Sequence, residues 1–162
     1  MARALIVGCG CRGRALGSRL RDDGWSVRGT SRSERGLSAI EAAGFEAALA
    51  DPARASTILD LVGDVAAIHW LLGSASGEET QVEAAHGDAL GALLVKLVDT
   101  PVRGFVYEGA GSAPGQVLSR GAALVRAASE RWRIPAEVVE ADPGDAETWA
   151  AEMREATRRL VG

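Results

Sequence analysis

Short apolar runs alternate along this sequence with longer segments in which apolar residues recur every three or four positions. The short runs have the length and β-branched content of buried strands, whereas the longer spacing is that of amphipathic helices. Regular alternation of the two predicts an α/β fold, with a doubly wound parallel six-stranded sheet in the order 3-2-1-4-5-6 and helices on both faces. The predicted strands cover residues 2–8, 25–30, 45–50, 65–72, 103–109 and 136–141.

The segments between the strands predict six helices. A second helix is expected from about residue 33 to 44, and Asp51-Pro52 begins a third with proline in its first turn. The apolar stripe from residue 82 to 97 predicts one continuous fourth helix with a broad buried face. The last two helices are expected over residues 116–132 and 145–160.

Three glycines follow the first predicted strand with the spacing G-x-G-x-x-G, at Gly8, Gly10 and Gly13. In a Rossmann sheet the first permits a tight turn, the second lets backbone approach a pyrophosphate, and the third lets the helix pack closely. The phosphates would meet free N–H groups at the helix N-terminus, beside Cys11 and Arg12. Because a strand precedes the motif and a helix follows it, we expect dinucleotide binding rather than a merely structural turn.

The end of the second predicted strand indicates which dinucleotide is bound. A site for NAD usually has Asp or Glu there, to hold the ribose 2′-hydroxyl. This sequence has Thr30, Ser31 and Arg32 instead, and hydroxyls with an arginine suit a 2′-phosphate. We therefore expect NADP in preference to NAD, the alternative being that Arg32 is only a solvated loop charge.

Other loops at the carboxyl ends of the strands extend the predicted site. Leu72, Gly73 and Ser74 follow the fourth strand, in a loop whose small residues suit either close approach of a ligand or a flexible connection. The loop over residues 108–115 lies where a substrate would meet the cofactor.

Composition limits the remaining possibilities. A chain of 162 residues, 47% hydrophobic and with a formal net charge of −4, is expected to be one soluble domain over residues 1–162. It lacks the basic surface of nucleic-acid-binding proteins, a membrane span and a secretory signal, so we expect a cytoplasmic protein. Its two cysteines, Cys9 and Cys11, are too few for a zinc site, and no metal site is expected.

The glycine motif, the strand end at residues 29–32, Asp51 and the segment over residues 133–139 together resemble the short-chain dehydrogenase/reductases. The similarity is to their extended and atypical NAD(P)-dependent epimerase-like members. It implies that Asp51 lies near the adenine, although an aspartate before Pro52 is also a good helix N-cap.

The catalytic pair of that family is missing. The resemblance implies a tyrosine near Gly115 and a lysine near Ser119, where the lysine lowers the pKa of the tyrosine for proton exchange. The only tyrosine is Tyr107, within a strand, and the only lysine is Lys96, on the preceding helix. The extended members also have a C-terminal substrate region, which we do not expect in this chain.

Four residues remain as weak catalytic candidates, because they lie at or near the carboxyl ends of strands four and five. His86 is excluded from this set, since a histidine on an apolar helical stripe is usually a packed residue. The candidates are His69, Tyr107, Glu108 and Ser112.

Three hypotheses follow for the function. The first is an NADP(H)-binding protein without the usual reductase catalysis, acting as a sensor, scaffold or subunit. The second is an active NADP-dependent oxidoreductase or epimerase with unfamiliar catalytic residues and a small-molecule substrate. The third is a degenerate fold that binds no nucleotide. A homodimer is also expected, with Trp149 on the last helix as a candidate anchor.

Overall fold

The computed structural model describes residues 2–161, which contain a parallel sheet of six strands in the order β3-β2-β1-β4-β5-β6. All five neighbouring pairs are parallel, so the predicted doubly wound sheet is confirmed. The connections that follow β1 and β4 run to opposite faces of the sheet where the strand order reverses, which places a crevice at the glycine turn. The strands are β1 (Arg3–Val7), β2 (Ser26–Ser31), β3 (Glu46–Leu49), β4 (Ala67–Trp70), β5 (Phe105–Glu108) and β6 (Ala136–Val139).

In the described part of the chain, seven α-helices cover the two faces of the sheet. One face packs on α1, α2 and α7 through residues such as Ile6, Leu16 and Met153, and the other packs on α3, α5 and α6 through residues such as Leu5 and Leu93. The helices are α1 (Cys11–Asp22), α2 (Glu34–Ala42), α3 (Ala55–Leu59), α4 (Glu79–Ala85), α5 (Asp88–Lys96), α6 (Gly115–Trp132) and α7 (Ala146–Val161).

The prediction of one continuous fourth helix is wrong. The chain forms α4 and α5 with a break at His86 and Gly87, and a short 3₁₀ turn at Leu97–Asp99 follows α5. Gly87 has φ −133° and ψ −110°, which is outside helical backbone. The apolar spacing continues across the break, because both helices pack on the same face of the sheet.

The third helix also begins later than predicted. Residues 51–54 form a turn, in which the carboxylate of Asp51 accepts a 2.9 Å hydrogen bond from the N–H of Ala53. Helix α3 starts only at Ala55. The aspartate therefore stabilises the turn that leads into the helix rather than capping the helix itself.

Trp149 does not serve as a surface anchor. Its side chain is 1% exposed and packs within the layer of α1 and α7. The prediction that it contacts a partner copy is therefore wrong, because its apolar surface is already covered by its own chain. Within the described residues, no helix is long and apolar enough to cross a bilayer.

Candidate functional site

The three glycines of the motif meet three different steric needs. Gly8 has φ +80°, and a Cβ there would lie 2.6 Å from the carbonyl oxygen of Leu71. A Cβ at Gly13 would lie 3.2 Å from Cγ2 of Ile6, where α1 packs on β1. A Cβ at Gly10 would meet no atom within 4 Å. Gly10 therefore borders open space, which is the position that a close-approaching ligand requires.

The turn presents the N-terminus of α1 to that space. The N–H of Arg14 donates to the carbonyl of Gly10 at 2.9 Å, so the amides of Cys11, Arg12 and Gly13 precede the first helical hydrogen bond. Such amides, together with the helix dipole, attract an anion.

The two cysteines of the turn differ in exposure. Cys11 is exposed at the first position of α1, whereas Cys9 is buried, and burial raises the pKa of the Cys9 thiol to about 11. Cys9 is therefore a protonated packing residue at neutral pH.

The end of β2 is fixed to the glycine turn. Thr30 is 1% exposed, its hydroxyl accepts from the N–H of Gly8 at 3.3 Å, and its carbonyl accepts from Cys9 at 3.1 Å. The Ser31 hydroxyl accepts from the N–H of Ser33 at 3.2 Å. Thr30 and Ser31 thus hold a fixed geometry beside the turn.

Arg32 reaches across the crevice from the end of β2 to the segment after β4. Its guanidinium donates to Oε1 of Gln81 at 3.1 Å and to the carbonyl of Ser76 at 3.0 Å. Among residues 2–161, no carboxylate forms an ion pair with it. Its charge is exposed and not neutralised.

These residues line a cavity of about 320 Å³, here called the first cavity. A volume of this size is in the range of small-molecule sites. The residues that line it include two arginines and no aspartate or glutamate. They are Gly8, Cys9, Gly10, Arg12, Thr30, Ser31, Arg32, Ala50, Pro52, Leu71, Leu72, Ser74, Ala75 and Ser76.

Four of the predicted site residues do not line this cavity, namely Cys11, Gly13, Asp51 and Gly73. Cys11 and Gly13 lie in the first turn of α1. The Asp51 side chain is held in the turn described above, although its neighbours Ala50 and Pro52 line the cavity. Gly73 is buried, and a Cβ there would overlap with the carbonyl oxygen of Ala110. Gly73 is therefore required for packing between the loops after β4 and β5.

A second cavity of about 520 Å³ adjoins the first and shares Arg12 and Ser74 with it. Its lining is mixed polar and apolar and is built mostly from small residues that follow β5 and β6. Ser112 is exposed there, and its N–H donates to the hydroxyl of Ser74 at 3.2 Å. The remaining lining residues are Ala110, Gly111, Glu140, Asp142, Pro143 and Gly144.

Glu108 is fully buried below the junction of the two cavities. Its carboxylate accepts from the N–H of Gly73 and from Nε1–H of Trp149, both at 2.8 Å, and lies 3.8 Å from Arg12. Burial raises the pKa of this carboxyl, against the opposing effect of the two hydrogen bonds and of the positive charge of Arg12. Glu108 thus lies near the crevice but is covered by its own chain.

His69 and Tyr107 lie away from both cavities. The His69 Nε2 is 2.7 Å from the hydroxyl of Thr157 on α7, and burial lowers the pKa of His69 to about 4. Tyr107 contacts Nδ1 of His86 at 2.5 Å on the other face of the sheet, and burial raises its pKa. Nε2 of His86 is 2.9 Å from the carbonyl of Leu72, so these two rings support the loop after β4 from below.

Sequence reasoning missed several residues of the crevice. Gln81 and Ser76 contact Arg32, from which they are 49 and 44 residues distant in the sequence. Trp149 contacts Glu108, which is 41 residues distant. For Gln81 and Ser76 the only signal is the position of the segment after β4, which the sheet topology places opposite the end of β2.

No family model and no curated protein match the sequence. Solved structures do match, with TM-scores of 0.64 to 0.74 and identities of 13% to 20%. The chain has the fold of the short-chain dehydrogenase/reductases. BdcA from E. coli has a TM-score of 0.74 and 20% identity, over 95% of this chain and 89% of that one.

Among the matching structures with this short-chain dehydrogenase/reductase fold that contain NAD, two serve as examples. One is a superfamily protein from Agrobacterium tumefaciens, with a TM-score of 0.67 and 20% identity, over 84% of this chain and 48% of that one. The other is a variant UDP-glucuronic acid 4-epimerase from Bacillus cereus, with a TM-score of 0.65 and 14% identity, over 84% of this chain and 55% of that one. This chain thus spans about half the length of these two structures.

Proposed function

We propose that the protein binds NADP(H) in the first cavity and lacks the usual reductase catalysis, so that it acts as a sensor, a scaffold or a subunit of a larger enzyme. The dinucleotide part of this proposal is supported by the glycine turn, by the open N-terminus of α1, and by the NAD present in two structures of the same fold.

The preference for NADP(H) rests on one observation: the first cavity has no carboxylate in its lining and has Arg32 at its edge. A ribose 2′-phosphate needs positive charge and hydrogen-bond donors, whereas an acid at the end of β2 would favour the 2′-hydroxyl of NAD. Arg32 is bonded only to neutral oxygens, so an anion that binds beside it does not have to displace a carboxylate.

The non-catalytic part of the proposal rests on the placement of Tyr107 and Lys96. Tyr107 is fully buried against His86, and Lys96 is exposed at the end of α5. Neither residue lines the first or the second cavity. Proton exchange between a substrate hydroxyl and this tyrosine would require contact that the fold prevents.

Calorimetric titration with NADPH and NADH tests the binding proposal. We expect micromolar NADPH binding, weaker NADH binding, and a loss of about tenfold in NADPH affinity in Arg32→Ala with little change for NADH. Arg35→Ala is the matched control, because Arg35 is exposed on α2 and does not line the cavity. Absence of binding to either dinucleotide would leave the alternative of a degenerate fold that binds no nucleotide.

The second cavity supports one alternative function, an NADP-dependent oxidoreductase or epimerase with a small-molecule substrate. The cavity is large enough for a substrate and places the exposed Ser112 beside the first cavity. NADPH oxidation across a panel of aldehydes and ketones, together with epimer formation from nucleotide sugars, decides between the two. Turnover that is lost in Ser112→Ala would replace the non-catalytic proposal.

A further inference from the structure

Glu108 differs from the other acids at the carboxyl end of the sheet. Glu140 and Asp142, which follow the next strand, are exposed, whereas Glu108 is 0% exposed. A buried carboxylate is costly unless it is paired and hydrogen-bonded. Its partners therefore indicate what it does.

Three partners from three different parts of the chain surround Glu108. The loop after β4 donates through the N–H of Gly73 at 2.8 Å, and α7 donates through Nε1–H of Trp149 at 2.8 Å. The third partner is Arg12 in the first turn of α1, whose Nη2 lies 3.8 Å from Oε2. Each carboxylate oxygen thus accepts one hydrogen bond, and the side chain is fully buried, so Glu108 does not contact a substrate directly.

Arg12 is the partner that faces the ligand space. It lines both the first and the second cavity, together with a small cleft of about 60 Å³ that Glu108 and Trp149 also line. Its Cζ lies 5.7 Å from the centroid of the Trp149 ring. A cation in the first turn of a helix is disfavoured by the helix dipole, and the nearby carboxylate offsets this.

We propose that Glu108 is a positioning residue, whose buried carboxylate holds the guanidinium of Arg12 against Trp149 at the junction of the two cavities, where it meets the pyrophosphate of a bound dinucleotide. This inference rests on the proposed function. A long arginine side chain that is already ordered loses less conformational entropy when it binds an anion, so the pairing increases affinity without adding a contact to the ligand.

A double-mutant cycle tests the inference, with NADPH affinity measured by calorimetry for the wild type, Arg12→Ala, Glu108→Gln and the double variant. We expect Arg12→Ala to weaken NADPH binding about tenfold and Glu108→Gln about fivefold. Because Glu108 acts through Arg12, the double variant should bind no more weakly than Arg12→Ala alone. A merely structural role would instead give losses that add.

Glu137→Gln is the matched control. Glu137 is also a glutamate on a strand of the sheet and forms an ion pair with Arg159 at 2.6 Å, but it lines neither cavity. We expect wild-type NADPH affinity in this variant. Thermal unfolding of every variant shows whether the fold is retained, and if Glu108→Gln does not fold, Trp149→Phe is used in its place. That variant removes one donor to Glu108 but keeps a ring beneath Arg12, and should weaken binding about twofold, again only when Arg12 is present.

Three results would overturn the inference while leaving the proposed function intact. They are unchanged or tighter NADPH binding in Glu108→Gln, unchanged binding in Arg12→Ala, and additive losses in the double variant. Failure of the wild type to bind NADPH would overturn the proposed function, and this inference with it.

Discussion

Arginines at the two ends of the sheet differ in their burial and in their ion pairing. At the amino end, Arg28 on β2 is 8% exposed and forms ion pairs with Asp64 at 2.8 Å and with Glu46 at 3.1 Å. It also donates to the carbonyl of Leu61 at 2.7 Å. At the carboxyl end, Arg32 directly follows the last residue of β2 and is exposed, and it is bonded only to neutral oxygens.

The difference separates arginines that stabilise the fold from arginines that are available to a ligand. Acids surround Arg28, and Arg3 on the neighbouring strand also pairs with Asp64, so the charges there largely cancel. The first cavity has positive charge and no acid in its lining. An anionic ligand would therefore be attracted to the carboxyl end of the sheet and not to the amino end.

The largest expected effect is a loss of stability at low pH. It comes from a histidine buried between the two ends of the sheet, where a charged side chain is disfavoured. His69 is buried, and its pKa is lowered from 6.5 to about 4. Below pH 6.5 the unfolded chain binds a proton at this residue that the folded chain does not, so stability is lost as the pH falls. The loss reaches about 3 kcal/mol by pH 4, at about 1.4 kcal/mol per unit of pKa shift.

Urea unfolding of the wild type and of His69→Gln between pH 7 and pH 4 measures this loss. The variant starts from a lower stability but should show a shallower decline, while the lowered pKa of His86 leaves part of the slope in place. Parallel declines in the two proteins would show that His69 is not the group responsible.

The next effect is on stability alone. Arg28→Ala removes the central partner of the amino-end ion pairs and should lower the free energy of unfolding by about 2 kcal/mol. The loss is moderate because Asp64 and Glu46 are half exposed and become hydrated. NADPH affinity should stay at the wild-type level. A loss of affinity would show that the two ends of the sheet are not independent.

The control is Arg158→Ala, which breaks an exposed pair with Glu155. It should change the free energy of unfolding by about 0.5 kcal/mol or less.

The smallest effect is a change of cofactor preference without a change of fold. Ser31→Asp places a carboxylate in the wall of the first cavity, where it repels a 2′-phosphate and accepts from a ribose 2′-hydroxyl. The ratio of NADPH to NADH affinity should fall at least about tenfold, which is about 1.4 kcal/mol. Ser38→Asp adds the same charge on the exposed side of α2 and should leave the ratio unchanged. An unchanged ratio in Ser31→Asp would show that the 2′-phosphate binds elsewhere.

The strands, their order and the glycine turn could be predicted because they depend on local signals. Strand residues alternate between two packing layers, and on β4 this places His69 in the same layer as Leu71, as the alternation predicts. The break between α4 and α5 depends instead on partners that are distant in sequence. His86 contacts Tyr107, 21 residues away, and the carbonyl of Leu72, 14 residues away. The apolar spacing over residues 82–97 continues across the break, so it does not indicate these contacts.

The same limit applies to the weak catalytic candidates. Glu108 and Tyr107 are adjacent at the end of β5, so they point to opposite faces of the sheet. Each is buried by helices that follow much later in the chain, Glu108 by α7 and Tyr107 by α6, where Gly121 leaves room for its hydroxyl. Sequence position places both residues near the crevice, but only the packing of those helices shows that both are covered.

The edges of the sheet have a consequence for self-association. An open strand edge is a template on which another chain can extend the sheet, and long, flat, apolar edges lead to aggregation. Both edge strands here have only four residues, and each contains a glutamate paired with an arginine. Glu46 on β3 pairs with Arg28, and Glu137 on β6 pairs with Arg159. An incoming strand would have to bring its backbone alongside these charges. Joining of two copies through these sheet edges is therefore disfavoured.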